Sequence, residues 1–471
     1  MTQKNQEKKF NQMTQTPIRR LILRLALPAM VSMLISSIYN MADTYFVGQL
    51  AAGSAAATSA TAAVGIAFPL MSIIQAVGFM FGHGSGNFIS RALGRQQTAD
   101  AERMAATGFF SALIAGCLLS FFGLVFLRPL CLLLGSTDTI LPYAQSYIRI
   151  ILIGAPWMCA SLVLNNQLRF QGNAFFSMIG ISTGGVINIL LDPLFIFTLD
   201  MGISGAALAT IISQFISFTL LLVGVRRSDN LKIHIRNFTP KAFFFKEMFK
   251  GGAPSLFRQG IGSISSTCLN NVAAAVVETA LVDPAIAALS IVSRIMMFAN
   301  SLVIGFGQGF QPVCGFNYGA KKYSRVREAF VFCTAVSSCF LVLAAIAGVS
   351  FAPGIVALFR GDDSAVIEIG SLALRLQCIT MPLFAFVVLS NMMLQTIAKT
   401  GRASTLAVAR QGLFFLPILL VLAFSFGLPG IQATQPIADG FSFLLALFLQ
   451  GKTLREMREM EKAENAAAIN A

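Results

Sequence analysis

The sequence predicts an all-α polytopic membrane protein with 12 transmembrane helices, arranged as two parallel six-helix repeats. Hydrophobic residues make up 56% and charged residues 11% of the 471-residue chain, whereas a soluble domain carries about 25% charged residues. Twelve apolar stretches are each long enough to cross a bilayer, which needs about 20 residues. The last six stretches repeat landmarks of the first six. A β-barrel is not expected, because the apolar runs are continuous rather than alternating.

We call the twelve apolar stretches spans 1 to 12. They cover residues 18–47, 59–86, 104–127, 140–166, 174–198, 203–225, 251–277, 285–312, 326–351, 365–396, 403–425 and 430–450. The loops between them are too short to hold a soluble domain. The predicted organisation is therefore a tail (1–17), a six-helix lobe (18–225), a linker (226–250), a second six-helix lobe (251–450) and a second tail (451–471).

The distribution of positive charge predicts the orientation in the membrane. The net charge is +14, and most of the 34 Lys and Arg residues lie in the two tails and in loops that follow even-numbered spans. Positively charged loops stay on the cytoplasmic side of a membrane. We therefore expect a multi-pass protein with both termini in the cytoplasm. Because the basic residues face a membrane surface, the lipid bilayer rather than nucleic acid is the expected partner.

The two halves of the chain align at an offset of about 225 residues. Gly82-His83-Gly84 matches Gly307-Gln308-Gly309, and the run 202–205 matches the run 427–430. Each repeat holds an even number of spans, so both repeats have the same orientation. Transporters built from parallel repeats place the substrate between the halves, which move relative to each other.

Polar side chains of the first repeat fall at one depth in the membrane. Asp43, Asp192, Thr210 and Tyr147 are each predicted to lie about 7–11 Å below the outer surface, at about 1.5 Å per residue. Asn188 precedes Asp192 by four residues and so shares its helix face. Such oxygens suit H⁺ or a hard cation such as Na⁺. The second repeat has no acids at the matching positions, which favours a dedicated ion site over two separate, locally hydrogen-bonded neutral carboxyl groups.

Four runs of residues carry a family resemblance. The runs 39–48, 188–196, 209–210 and 315–320 resemble signatures of the multidrug and toxic compound extrusion (MATE) family, in spans 1, 5 and 6 and at the end of span 8. The resemblance covers about residues 18–450 and is greatest to the bacterial MepA-like branch. It implies a MATE-type two-lobe bundle in a bacterial plasma membrane. It also implies antiport of cationic or amphipathic compounds against H⁺ or Na⁺, without enzymatic activity.

The resemblance also implies site residues. Asp43, Asn188 and Asp192 would carry the coupling ion, with Thr210 and Tyr147 in support. The match of Tyr147 rests on its position rather than on a motif. No cofactor is expected beyond H⁺ or Na⁺, and no metal beyond Na⁺ at this site. We expect a monomer, because each lobe already buries its own polar site.

Further polar residues in the spans are candidates for a substrate cavity. They are Asn40, Arg258, Gln259, Asn270, Arg294 and Gln308. Hydrogen bonds between helices that only stabilise packing are an equal alternative for them. Pro28 is a candidate bend in span 1, because proline removes one backbone hydrogen bond. Arg410 and Asp439 could form a buried pair.

Other functions are weighed against efflux. A lipid-linked oligosaccharide flippase of the same superfamily would use a basic central cavity, and Arg258 and Arg294 keep this alternative open. A membrane enzyme would need a paired histidine, a metal cluster or an activated nucleophile, and the two histidines of the chain have no such neighbours in sequence. ATP binding is not expected, since the run 451–453 resembles the end of a P-loop but follows a membrane span and lacks the first glycine.

Overall fold

The structure is a computed structural model that describes residues 3–50, 55–227, 231–277, 279–359 and 363–469. In these ranges the chain is helical and forms no strand. The α-helices are α1 (Gln3–Gln15), α2 (Ile18–Leu50), α3 (Ala55–Gly94), α4 (Thr98–Val125), α5 (Leu127–Leu133), α6 (Leu141–Phe170), α7 (Ala174–Pro193), α8 (Gly202–Arg227), α9 (Ala242–Val276), α10 (Thr279–Gly319), α11 (Tyr323–Ala357), α12 (Ser364–Thr396), α13 (Thr400–Val408), α14 (Phe415–Phe426) and α15 (Leu428–Ile469).

Eleven helical segments in the described ranges are long and apolar enough to cross a membrane. Helix α9 is the predicted span that does not meet this standard, because serine, asparagine, Arg258 and Gln259 interrupt its apolar run. It still crosses the bundle beside α3 and completes the predicted twelve-helix, two-repeat layout. Span 11 is divided by a π-helical turn, Ala409–Leu413, into α13 and α14.

The predicted tails and linker contain more helix than the apolar pattern shows. Residues of the N-terminal tail form α1, and α15 continues through the C-terminal tail to Ile469. Helix α9 begins at Ala242, inside the predicted linker 226–250, of which residues 228–230 lie outside the described ranges. Hydrophobic runs mark where a helix crosses lipid, so they miss helical turns that continue into water.

We call α2–α8 the first half and α9–α15 the second half. Each half has its own core of buried aliphatic side chains, around α6 in the first half and around α12 in the second. A third core joins the halves near the two termini and draws on both, with Ile89 and Phe310 among its members. The halves are therefore packed together at the end of the bundle that carries both tails, which we call the tail side.

The tail-side interface relies on glycine. A methyl group at Gly84 would collide with the carbonyl of Met248, and one at Gly252 would collide with the carbonyl of Met80. Helix backbones in membranes approach this closely only where side chains are small. Gly84 and Gly252 thus allow α3 of the first half to lie directly against α9 of the second.

Helix α1 lies across the tail-side interface. Met13 is buried, and its sulfur lies beside Gly172 of the first half. Asn317 of the second half donates a hydrogen bond from Nδ2 to the Met13 carbonyl at 3.0 Å, and the Lys322 ammonium donates to the Thr14 carbonyl at 3.2 Å. The end of α1 thus contacts both halves at once.

Hydrogen bonds between the halves extend from the tail side as far as Ser37–Ser301 at 2.8 Å and Gln75–Gln259 at 3.3 Å. Further from the tails, the buried cores of the two halves are separate, and no described hydrogen bond joins the halves. We call the space beyond this level the cleft. Asn40, Arg294 and Asn270 are exposed and lie three, seven and eleven residues from Ser37, Ser301 and Gln259, so each shares the helix face of a residue bonded across the halves. The exposed Arg258 directly precedes Gln259. By this spacing the four side chains line the cleft.

Candidate functional site

Asn188 and Asp192 lie one turn apart on α7 and are joined by a hydrogen bond. Asn188 Nδ2 donates to Asp192 Oδ1 at 3.3 Å, and Asp192 is fully buried. Pro193 follows directly and has no N–H to donate to the carbonyl four residues earlier. The helix then widens into the π-helical turn Leu194–Thr198. Such turns are frequent at functional sites, and this one ends the helix just beyond the buried acid.

The half-buried Asp43 of α2 belongs to the same site. Asp43 and Asp192 lie close enough to interact electrostatically with each other and with the hydroxyl of Tyr147 on α6. Tyr39, one turn before Asp43 on α2, interacts with it in the same way. Three of the four helices predicted to share this level, α2, α6 and α7, therefore meet here, and Tyr39 is an addition that the sequence reading did not identify.

Three buried oxygen atoms of this site accept no hydrogen bond from the described residues. They are Asp43 Oδ1, Asn188 Oδ1 and Asp192 Oδ2. Buried polar atoms are nearly always satisfied. Three acceptors without a described partner can therefore take a proton or act as ligands of a hard cation. In the described parts of the chain, no group of three or more His, Cys, Asp or Glu side chains is placed to hold a metal ion. The acceptors here belong to two carboxyl groups and one amide.

The two supporting hydroxyl groups have other partners. Thr210 donates to the carbonyl of Ala206 in its own helix at 3.0 Å. The Tyr147 hydroxyl lies 3.9 Å from the sulfur of Met71. Neither hydroxyl is hydrogen-bonded to Asp43 or Asp192 in this conformation. Tyr147 still belongs to the site through its electrostatic interaction, whereas the described hydrogen bonds of Thr210 stay within its own helix.

The candidate cavity residues divide into three groups. Asn40, Arg258, Asn270 and Arg294 are exposed in the cleft. Gln259 sits at its closed end, bonded to Gln75.

Gln308 does not face the cleft. It is buried between α2 and α10, with Nε2 3.6 Å from the sulfur of Met33. Helices α2 and α10 are in contact at the level of Gln308. Pro28 lies inside an uninterrupted α2, and the hydroxyl of Ser32 donates to its carbonyl at 3.1 Å.

Arg410 and Asp439 form the ion pair that their sequence positions allow. Arg410 Nε donates to Asp439 Oδ1 at 2.7 Å, and Nη2 donates to Oδ2 at 3.3 Å. Gln435 donates to the same carboxylate at 2.8 Å, and the guanidinium lies 4.5 Å from the ring centre of Phe384. With three donors, this acid has the satisfied environment that Asp43 and Asp192 lack. It connects α15 to the π-helical turn Ala409–Leu413.

A polar network at the tail-side interface was not predicted. His83 of α3 lies 3.1 Å through Nδ1 from the hydroxyl of Ser255 on α9, which also accepts from Gln395 of α12 at 2.7 Å. On the other side, Arg169 Nη2 lies 3.4 Å from His83 Nε2 and donates to Asn166 at 2.6 Å. A guanidinium can only donate, so His83 accepts at Nε2. The network joins α3 and α6 of the first half to α9 and α12 of the second.

Comparison with known proteins covers nearly the whole chain. The MatE family matches residues 28–194 and 260–421, one segment in each half. The chain is 27% identical to Multidrug export protein MepA of Staphylococcus haemolyticus over 453 residues, 95% of this chain and 96% of that protein. It is 26% identical to MepA of Staphylococcus aureus strain N315 over 435 residues, 92% of this chain and 94% of that protein.

Two solved structures show the same fold. One is an outward-facing multidrug resistance transporter of the MATE family, with a TM-score of 0.88, 24% identity and coverage of 95% of this chain and 98% of that one. The other is a Pyrococcus furiosus transporter of the same superfamily, described as having a binding pocket of reverse polarity. Its TM-score is 0.86 at 25% identity, covering 96% of this chain and 99% of that one.

Proposed function

The chain belongs to the MatE family, and from this premise we propose that it exports cationic and amphipathic compounds from a bacterial cell in exchange for H⁺ or Na⁺. It is a multi-pass transport protein and not an enzyme. Its relatives named MepA are multidrug export proteins, and they match it over 92–95% of its length. That similarity supports drug efflux as the general activity.

The orientation follows from charge. Lys and Arg residues concentrate in the two tails and in loops on the tail side. Positively charged segments remain cytoplasmic, so the tail side is the cytoplasmic side. The closed interface then seals the cytoplasmic end, and the cleft opens to the outside. This is an outward-facing state, ready to release a compound and to take up an ion.

The observation that carries the proposal is the set of free oxygens at Asp43, Asn188 and Asp192. Charged groups inside a membrane cost about 2.5–3.5 kcal/mol each on insertion scales, so two acids within the spans that form no ion pair with a described basic residue are expensive. Binding H⁺ or Na⁺ relieves that cost. These three residues are therefore the coupling site, and Tyr147 supplies a nearby hydroxyl that can turn toward a bound ion.

The transport cycle follows from differential binding. In the outward-facing state the ion enters the cleft and neutralises Asp43 or Asp192. The change in charge weakens the binding of a cationic compound in the same lobe, which then leaves to the outside. Movement in α2 near Pro28 can follow, since one backbone hydrogen bond is missing there. The ion-loaded protein turns inward and releases the ion. Coupling requires that ion and compound bind the two states with different affinity.

The test is transport of ethidium in proteoliposomes under an imposed pH or Na⁺ gradient. The wild type should respond to one of the two gradients. Asp43→Asn and Asp192→Asn should each lose that response, because an amide cannot gain or lose the coupling charge. Asp138→Asn, an exposed acid outside the site, is the matched control. Wild-type protein that moves ethidium equally with and without both gradients would refute ion coupling.

The alternative is a lipid-linked oligosaccharide flippase. The observation that favours it is the exposed pair Arg258 and Arg294 in the cleft. Such a protein would move a fluorescent lipid-linked oligosaccharide between leaflets in the same proteoliposomes, and would leave ethidium unmoved under both gradients. Ethidium transport and oligosaccharide movement can therefore be distinguished in the same proteoliposomes.

A further inference from the structure

Arg258 lies at the closed end of the cleft. It follows Ser255 by three residues and directly precedes Gln259, and both of these bond to the first half. Its charge also acts on His83 within the interface. The exposed guanidinium of Arg258 is thus held where the two halves begin to diverge.

Arg294 lies higher in the cleft, at the level of the coupling site. Helices α2 and α10 run antiparallel, with Ser37 opposite Ser301 and Ala26 opposite Gly309. Arg294 is seven residues from Ser301, which is two helical turns or about 10 Å toward the open end. On α2, two helical turns from Ser37 in the same direction lead to the position directly after Asp43. Arg294 and Asp43 therefore stand at one height on opposite walls.

Neither arginine is neutralised by an ion pair with a described residue. Among the described residues, Arg258 and Arg294 take part in no ion pair, whereas Arg410 of the same half is paired with Asp439. The cleft consequently has two walls of opposite charge. The first-half wall carries Asp43, with Asp192 behind it, and the second-half wall carries two guanidinium groups.

We propose that the cleft selects amphipathic compounds that carry a carboxylate as well as a cationic or aromatic part, with Arg294 and Arg258 binding the carboxylate. This inference rests on the proposed efflux function and names its substrate class. A planar guanidinium matches a carboxylate with two parallel hydrogen bonds. The cationic part of the compound then lies toward the first half, where an incoming ion at Asp43 can displace it.

The experiment compares two dyes that differ in one group. Rhodamine 110 has a free carboxylate, and rhodamine 123 is its methyl ester. Binding is measured by fluorescence polarisation with full-length protein in phosphatidylcholine nanodiscs. Wild-type protein should bind both dyes. Arg294→Gln and Arg258→Gln should each weaken rhodamine 110 binding at least tenfold and change rhodamine 123 binding less than twofold.

Two controls accompany these variants. Arg294→Lys retains the charge but not the paired geometry, so it should restore part of the rhodamine 110 affinity. Arg128→Gln removes an exposed arginine on α5, which contacts only the first half, and should change neither dye. Unchanged rhodamine 123 binding shows in each variant that the fold and the first-half wall are intact.

Several results would overturn the inference. Equal loss of both dyes in Arg294→Gln and Arg258→Gln would mean that the arginines support the fold or the cleft in general. Wild-type binding of rhodamine 123 without rhodamine 110 would reject carboxylate recognition and leave efflux standing. Binding of neither dye by wild type would reject the efflux proposal too. If phosphatidylglycerol in the nanodiscs abolished rhodamine 110 binding to wild type, a lipid phosphate would be the occupant instead.

Discussion

The hydroxyl oxygens of Ser37 and Ser301 lie 2.8 Å apart and join α2 to α10 at the level where the cleft begins. Ser301 also donates to the carbonyl of Met297 at 2.7 Å, so Ser37 is the donor between the halves. Any movement that opens the tail side must separate these two hydroxyls. In the proposed transport cycle, their contact is therefore a marker of the outward-facing state.

We expect a disulfide between Ser37→Cys and Ser301→Cys to hold the protein in this state. Side chains whose terminal atoms touch are within reach of an S–S bond of about 2.0 Å. Oxidation should abolish ethidium transport in the double variant, and a reductant should restore it. The measurement is transport before and after oxidation, with exposed Cys117 and Cys339 replaced by serine. If the oxidised double variant transported ethidium at the wild-type rate, α2 and α10 would not separate at this level during transport.

A second prediction concerns the glycines of the tail-side interface. Gly252→Ala places a methyl group against the Met80 carbonyl, and overpacking of this kind costs about 1–3 kcal/mol. That cost shifts the equilibrium between the closed and the open tail-side interface about 5- to 150-fold. In the proposed cycle the shift is away from the outward-facing state. The readout is maleimide labelling of Asn270→Cys in the cleft, which should slow. Gly260→Ala lies on the same helix in open space and should leave labelling unchanged; equal slowing in both would contradict the interface as the cause.

A third prediction separates the structural acid from the coupling acids. Asp439→Asn removes the charge that pairs with Arg410. Hydrogen bonds to a charged group are worth about 1.5–3 kcal/mol, and the partly exposed Arg410 places the loss at about 2 kcal/mol. Thermal unfolding in detergent should show this loss, while ion coupling remains in the folded fraction.

The matched control for Asp439→Asn is Glu464→Gln, which breaks the exposed pair with Lys321. Solvent screens such a pair, so unfolding should not change measurably. The double variant Arg410→Met/Asp439→Leu should recover most of the stability, because two apolar groups can replace a buried ion pair. Loss of coupling in well-folded Asp439→Asn would move this acid into the transport site.

A fourth prediction tests α1. Met13→Ala removes the buried side chain that contacts both halves. The tail-side interface should then open more often, since deletion of buried apolar atoms from a packed site is destabilising. Native Cys314, fully buried in that interface, should react several times faster with maleimide. Gln15→Ala, an exposed position of the same helix, should not alter the rate, and a rise in that variant alone would contradict the role of Met13.

The sequence was sufficient for the features that depend on local pattern. Apolar length located the crossing helices, and the spacing of Asn188 and Asp192 predicted a contact that the structure contains. Helix α1 and the end of α15 escaped notice because they are polar, and helices in water leave no apolar run of membrane length.

Features that depend on how helices meet could not be predicted. His83 contacts Arg169 and Ser255, which lie 86 and 172 residues away in the chain. A helical face can be read from spacing, but the level at which two helices touch cannot. For the same reason Gln308 was placed in the cavity, although it is buried against α2. Thr210 was assigned from its predicted depth and from the resemblance, and its hydroxyl bonds within its own helix.

The glycine contacts of the tail-side interface have a thermodynamic consequence. Glycine has no side-chain rotamers to lose when it is buried, whereas Lys, Met or Gln lose about 1.5–2 kcal/mol of conformational entropy each. Contacts such as Gly84 with Met248 and Gly252 with Met80 join backbone to backbone. Closing and opening this surface therefore changes the freedom of few side chains. In the transport cycle proposed above, the two end states would then stay close in free energy, so that binding of the proposed coupling ion would be enough to decide between them.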